Sequence, residues 1–198
     1  MIRFRLTLTL FMIMAINLFS QTTDEINNAF QNSSTQYNIP VDVLKSIAYV
    51  ETRFSHIIPD KQNMACTGMP HSYGIMGLRD DDWFGHSLME AANLIGEKPE
   101  LLISDYRLNI KGAAALLYSL ANVAKINRHN LNEWKLVAEN YSGIPQDDVK
   151  EFYYATFRLQ LYNSLLKKIR THAMIVKGNA FQPCAVNGKC IQPSQVRW

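Results

Sequence analysis

The sequence lacks a strong charge of either sign. Lys and Arg number 20 and Asp and Glu number 17, and no basic cluster stands out along the chain. A protein that binds nucleic acid through phosphate contacts needs such a cluster. Removal of a leader containing Arg3 and Arg5 would leave a net charge of +1. We therefore expect no nucleic-acid partner.

Short motifs of several enzyme classes are also missing. No Gly-x-Ser-x-Gly segment marks the nucleophile of a serine hydrolase. His56, His71 and His86 do not share a metal-ligand spacing such as His-Glu-x-x-His. No paired Cys-x-x-Cys supports a zinc site. The sequence therefore predicts no serine nucleophile and no metal site, and it implies no cofactor.

Cysteine is scarce, with three residues in the chain. Cys184 and Cys190 bracket a segment whose Asn187-Gly188 pair is a strong tight-turn signal. One interpretation is a small hairpin closed by a disulfide between these two residues, in which case Cys66 would have no disulfide partner. The other is that all three thiols are reduced.

Residues 1–20 contain the longest apolar stretch and read as a secretory signal. Arg3 and Arg5 precede the apolar run, and Ser20 offers a small residue before the expected cut. The competing interpretation is an uncleaved membrane anchor, for which the run is short. The leader predicts a periplasmic or extracellular location.

The remaining chain shows helical periodicity and almost no strand-like alternation before residue 174. This predicts an all-α domain over residues 24–173, followed by an irregular tail or linker over residues 174–198. The run Asp80–Asp82 is typical of a helix N-terminus. The predicted helices cover residues 22–37, 38–54, 86–96, 104–126, 130–143 and 147–172.

Glu51 breaks the polarity of the second predicted helix. Leu44, Ile47 and Ala48 precede it at spacings that place all four residues on one helical face. A carboxylate at the edge of a core-facing stripe is costly to desolvate. Glu51 is therefore a solvated residue, a paired structural group or a working acid.

Four stretches, taken in order, bear on this choice. They resemble the segments of the lytic transglycosylase and goose-type lysozyme family, whose catalytic helix ends in Glu-Ser and whose later motifs are Ser-x-Gly-Leu-Met-Gln, Asn-Ile-x-x-Gly and Ala-x-Tyr-Asn-Gly. The stretches are "VLKSIAYVETRF" at 43–54, "SYGIMGL" at 72–78, "LNIKGAAALLYSL" at 108–120 and "VAENYSGIP" at 137–145.

The chain departs from the family pattern at three positions. Thr52 stands in place of serine, Gly77 in place of the motif's glutamine, and Ser142 in place of an asparagine. These changes resemble the lysozyme-like domains that precede cell-wall amidase domains. They bear on substrate preference more than on fold. Asn109 is expected to stabilise a helix start or a loop.

The resemblance implies a lysozyme-like helical fold with a substrate cleft. It implies a monomer that binds peptidoglycan strands and cleaves the β-1,4 bond between N-acetylmuramic acid and N-acetylglucosamine, leaving 1,6-anhydro ends. Glu51 would be the catalytic acid and then the base. The implied substrate-binding residues are Thr52, Ser72, Tyr73, Gly74, Ile75, Met76, Asn140, Tyr141, Ser142, Tyr153 and Tyr154.

Two alternatives stay open at this point. A hydrolytic muramidase of the same fold would need a second carboxylate, which Asp80–Asp82 could supply. A non-catalytic glycan-binding module is the other, and the departure at Gly77 motivates it.

Overall fold

The computed structural model describes residues 24–59 and 70–176, with side chains as far as Lys168. The predicted leader and the three cysteines lie outside the described residues. The described chain is mostly helical, as the periodicity predicts. Its elements are α1 (residues 24–37), α2 (Val41–Thr52), β1 (Ser72–Tyr73), β2 (Leu78–Arg79), α3 (Ser87–Ile95), α4 (Pro99–Ser104), α5 (Tyr106–Val123), a 3-10 helix (Leu131–Glu133), α6 (Trp134–Ser142) and α7 (Asp147–Val176).

The chain divides into two units, one up to Leu161 and one from Tyr162 onward. The boundary falls inside α7, which continues to Val176 and so extends past the predicted domain end at residue 173. Within the described ranges, no helix is both long and apolar enough to cross a membrane.

The acidic run Asp80–Asp82 does not begin a helix, so that prediction is wrong. Asp81 and Gly85 instead pair through two backbone hydrogen bonds of 3.1 and 3.0 Å. The Asp81 Oδ1 accepts the backbone N–H groups of Trp83 and Phe84 at 2.8 and 2.6 Å. Because a short acidic side chain satisfies turn amides as readily as helix amides, the run closes a tight hairpin.

Two smaller differences lie nearby. Helix α4 was not predicted from the sequence, since six residues are too few to show a helical period. Ser87 is the first residue of α3 rather than its cap, and its hydroxyl accepts the backbone N–H of Arg79 at 2.8 Å.

Helix α5 runs through the core of the first unit and packs against α3, α4 and α6. Its residues 113–117 are all buried. A Cβ built on Gly112 would lie 2.7 Å from the Leu102 side chain, so the two helices approach closely there. Small residues let α4 and α5 pack at short range, and this places Asn109 deep inside the fold.

Asn109 holds the loop that joins β1 to β2. The two strands pair antiparallel, with Tyr73 opposite Leu78. Asn109 is fully buried; its Oδ1 accepts the Met76 N–H at 2.8 Å, and its Nδ2 donates to the carbonyls of Tyr73 and Leu102 at 3.2 and 3.0 Å. The structural role expected for Asn109 is confirmed.

The first prediction concerns Asn109→Ala, which would leave one buried amide and two buried carbonyls without this partner. Each such loss costs about 1–3 kcal/mol, so we expect the free energy of unfolding to fall by about 3 kcal/mol. Urea denaturation followed by circular dichroism measures it. Asn122→Ala, on the exposed face of the same helix, is the matched control. Equal stability losses in the two variants would contradict the role of Asn109.

Candidate functional site

Glu51 lies in the last turn of α2, on its core-facing side. Leu44, Ile47 and Ala48 are fully buried, and the Glu51 side chain itself is only 6% exposed. The face predicted from the spacing of these residues is therefore confirmed. The carboxyl group has lost most of its water.

Few groups replace that water. The Glu51 Oε2 lies 3.8 Å from Nη2 of Arg79, which is longer than a hydrogen-bonded ion pair. The Glu51 Oε1 is buried without a hydrogen-bond partner. The Tyr153 hydroxyl is near enough to favour the charged form, but the two groups do not reach hydrogen-bond geometry. The carboxylate is thus only partly compensated.

Burial raises the pKa of Glu51 to about 7, and Tyr153 and Arg79 only partly oppose this rise. Burial disfavours a charged carboxyl, whereas a nearby cation or hydroxyl donor favours it. Desolvation is the larger effect here because the cation stands off and the hydroxyl is poorly aligned. Glu51 therefore exchanges its proton near neutrality, as a group that both donates and accepts protons must.

Gly77 lies directly against Glu51. Its φ is +64°, and a Cβ built there would lie 2.6 Å from the Glu51 Cβ and 2.9 Å from Oε2. Only glycine accepts both the left-handed backbone and this contact without strain. A side chain at this position would displace the acid, which gives a physical reason for glycine where the motif that this segment resembles has glutamine.

Two side-chain hydroxyl groups, one on α2 and one on α6, bind the loop between β1 and β2. Thr52 Oγ1 lies 2.6 Å from the Ile75 carbonyl and 3.0 Å from that of Ala48. The buried Tyr141 hydroxyl donates to the Met76 carbonyl at 2.8 Å. Both side chains therefore support the loop beside Glu51.

A cavity of about 560 Å³ opens beside Glu51. Its lining contains one acid, one base and several apolar or aromatic side chains, so it combines an ionisable pair with surfaces that can pack on a ligand. The lining residues are Val50, Glu51, Arg79, Trp83, Phe84, Ser142, Ile144, Gln146, Val149 and Tyr153.

One wall of the cavity comes from the hairpin between Asp81 and Gly85. Trp83 at its tip is 61% exposed, and the Arg79 guanidinium stacks on Phe84 at 4.9 Å from the ring centre. A Cβ at Gly143 would lie 1.9 Å from the Phe84 carbonyl oxygen, so the end of α6 contacts this hairpin directly. The hairpin and the end of α6 both contribute to the lining, through Phe84 and Ser142.

The structure brings together some of the residues that the sequence suggested and not others. Glu51, Ser142 and Tyr153 line the cavity. Asn140 is exposed on α6, and Tyr154 packs against Phe157 and Lys135. The remaining suggested residues do not line it: Thr52, Ser72, Tyr73, Gly74, Ile75, Met76 and Tyr141.

Sequence reasoning missed Arg79, Trp83 and Phe84. The adjacent aromatic pair in a polar, turn-forming segment was the available signal, because large aromatic side chains in loops often serve contacts with ligands. Arg79 carried no comparable signal. Its proximity to Glu51 depends on the pairing of two strands of two residues each.

Across the described part of the chain, no cluster of acidic, histidine or cysteine side chains could hold a metal ion. No family model, curated protein or solved structure matches this chain. The geometry around Glu51 and the resemblance of the motifs are therefore the observations that bear on function.

The second prediction is a pH-dependent stability difference between the wild type and Glu51→Gln. The native pKa of about 7 exceeds the reference value of 4.5, so the native state binds more protons between these values. Its stability therefore falls as pH rises through that range, by roughly 3 kcal/mol in all. Glu51→Gln lacks this titration.

Denaturation of both proteins near pH 4 and near pH 8 measures the difference. We expect the variant to gain stability relative to the wild type at the higher pH. Parallel stability curves would contradict the raised pKa. Comparing the change with pH removes any constant effect of leaving Arg79 beside an amide.

The third prediction concerns Gly77→Gln, which introduces the residue of the motif that this segment resembles. We expect lower stability by about 2 kcal/mol or more, because the left-handed backbone and the contact with Glu51 both disfavour a side chain. Thermal melting measures it. Gly96→Gln, also left-handed but with open space around its Cβ, is the matched control for the backbone cost alone. Equal losses would exclude a specific contact between position 77 and Glu51.

Proposed function

We propose that this chain is a peptidoglycan lytic transglycosylase with a lysozyme-like fold. It would cleave the β-1,4 bond between N-acetylmuramic acid and N-acetylglucosamine and leave 1,6-anhydro ends. The observation that carries the proposal is a single buried carboxyl at the end of α2, open to a cavity, with its pKa raised to about 7. The ordered motifs in the sequence support the same activity.

Glu51 acts first as the general acid. Glycosidic cleavage needs a proton on the leaving oxygen while positive charge develops at the anomeric carbon. A carboxyl with an ordinary pKa is almost fully ionised at neutral pH, whereas a desolvated one retains a large protonated fraction. Burial therefore keeps a large fraction of Glu51 protonated near neutral pH, so that the carboxyl can donate a proton to the leaving oxygen.

Glu51 acts next as the general base. After the leaving group departs, its carboxylate accepts the proton of the C6 hydroxyl of the muramic acid residue. The O6 atom then bonds to the anomeric carbon and closes the 1,6-anhydro ring, so no water is consumed. Arg79, 3.8 Å from the Glu51 carboxylate, stabilises the charge present between the two steps.

The cavity favours this route over hydrolysis. An inverting hydrolase needs a second carboxylate about 6.5–9.5 Å from the first to activate water. Among the described residues that line the cavity, Glu51 is the sole acid. Asp81 binds turn amides through Oδ1, and Asp80 binds His86 at 2.8 Å. Neither acid lines the cavity.

Binding of a glycan strand is supported by the apolar walls. Aromatic and aliphatic surfaces that can pack on sugar faces come from Trp83, Phe84, Ile144 and Val149. The side-chain amide of Gln146 can form hydrogen bonds with the sugar. The proposal includes a periplasmic or extracellular location, which the leader over residues 1–20 predicts. It also includes action as a monomer.

The fourth prediction is that Glu51→Gln abolishes muropeptide release from purified peptidoglycan. Loss of a general acid lowers rate by about 10²–10⁴-fold. Liquid chromatography with mass spectrometry quantifies release and distinguishes anhydro ends from reducing ends. Glu139→Gln is the matched control, because Glu139 on α6 pairs with Lys135 at 3.4 Å and does not line the cavity.

Three results would change the proposal. Equal release by the wild type and Glu51→Gln would remove Glu51 from catalysis. Reducing muramic acid ends would indicate a hydrolase. No release by either protein, with retained sedimentation on peptidoglycan, would indicate a binding module.

A further inference from the structure

Arg79 is the sole cation among the described residues that line the cavity beside Glu51. Its side chain is 19% exposed, so most of the guanidinium is removed from water while part of it faces the cavity. A desolvated cation in a ligand cavity is costly unless it finds a partner.

The guanidinium is held in place before any ligand arrives. Its Nη1 donates to the Pro70 carbonyl at 3.3 Å, and its Cζ lies over the Phe84 ring, 4.9 Å from the ring centre. The backbone N–H of Arg79 donates to Ser87 at 2.8 Å. These contacts reduce the entropy that binding would otherwise cost.

Arg79 is nevertheless incompletely paired. Its Nε is buried without a hydrogen-bond partner, and its nearest carboxylate, Glu51, stands 3.8 Å away. When Glu51 is protonated, as the proposed acid step requires, the described cavity lining holds no anion at all. Among the described lining residues, the reactive form of the site therefore contains a cation without an anion.

We propose that Arg79 is a specificity-determining residue that binds a carboxylate carried by the muramic acid unit of the glycan. The proposal rests on the function proposed above. A fixed guanidinium matches the planar geometry of a carboxylate, which it can bind through two hydrogen bonds. The free lactyl carboxylate of a strand without stem peptides has this chemistry, and so do the carboxylates of a stem peptide.

A carboxylate site at Arg79 would distinguish muramic acid from N-acetylglucosamine. Both sugars carry an acetamido group, but only muramic acid carries the lactyl ether. A cavity that recognises sugars by their shape alone would bind oligomers of N-acetylglucosamine about as well as peptidoglycan strands. By binding the carboxylate, Arg79 would increase the affinity of this site for strands that contain muramic acid.

The test measures binding by calorimetry in full-length Glu51→Gln, which avoids turnover. Its ligands are a peptide-free alternating tetrasaccharide, the same glycan bearing stem peptides, and a neutral N-acetylglucosamine tetramer. Adding Arg79→Met should raise Kd for a carboxylate-bearing glycan by about 10- to 100-fold, the range for a charged hydrogen bond. Kd for the neutral tetramer should stay unchanged.

The first two ligands locate the carboxylate. A loss of affinity confined to the peptide-free strand assigns the lactyl group, and one confined to the peptide-bearing strand assigns the peptide. Arg79→Lys keeps the charge without the planar fork, so we expect an intermediate Kd. This variant also keeps the test decisive if Arg79→Met fails to fold.

Arg107→Met is the matched control, because Arg107 pairs with Glu25 at 2.9 Å and does not line this cavity. It should leave every Kd unchanged. Equal weakening of all three ligands by Arg79→Met, or no weakening, would overturn the inference and leave the proposed function standing. Failure of the Glu51→Gln parent to bind any glycan would overturn both.

Discussion

The candidate site depends on one physical constraint, the burial of the Glu51 carboxyl, which the Tyr153 hydroxyl and the charge of Arg79 only partly offset. With no cation nearby, a carboxyl that is only 6% exposed would strongly favour its protonated form. A bidentate contact with an arginine would instead strongly favour its ionised form. The 3.8 Å separation lies between these cases. Burial raises the pKa of Glu51 to about 7, and the Tyr153 hydroxyl, followed by Arg79 at this separation, opposes part of that rise, so the group can give up a proton and take it back.

That separation is set by the backbone of the β1–β2 loop. Asn109 from α5, Thr52 from α2 and Tyr141 from α6 each bind a peptide group of residues 73–76. Gly77 then carries the chain against Glu51 and into β2, which bears Arg79. Three helices thus fix one loop. Thr52 and Tyr141, which the motif resemblance suggests as substrate ligands, thus hold this loop in place.

The helices and Glu51 could be predicted from the sequence because helical period is local information, and the buried run of Leu44, Ile47 and Ala48 identifies the face. The cavity could not be predicted in the same way. Strands of two residues show no alternation, so nothing indicated that Arg79 would reach Glu51. The motif resemblance presents Gly77 only as a departure from a glutamine, whereas its positive φ and its contact with Glu51 favour glycine there.

The acid and the cation are also coupled through the net charge of the cavity. With Glu51 ionised, the described lining is neutral overall; with Glu51 protonated, it carries one positive charge. If Glu51 acts as proposed, the form that can donate a proton is therefore also the form that attracts an anion. A bound carboxylate on Arg79 would in turn disfavour ionised Glu51, since both anions compete for one cation. Substrate choice and acid activation then depend on the same arginine.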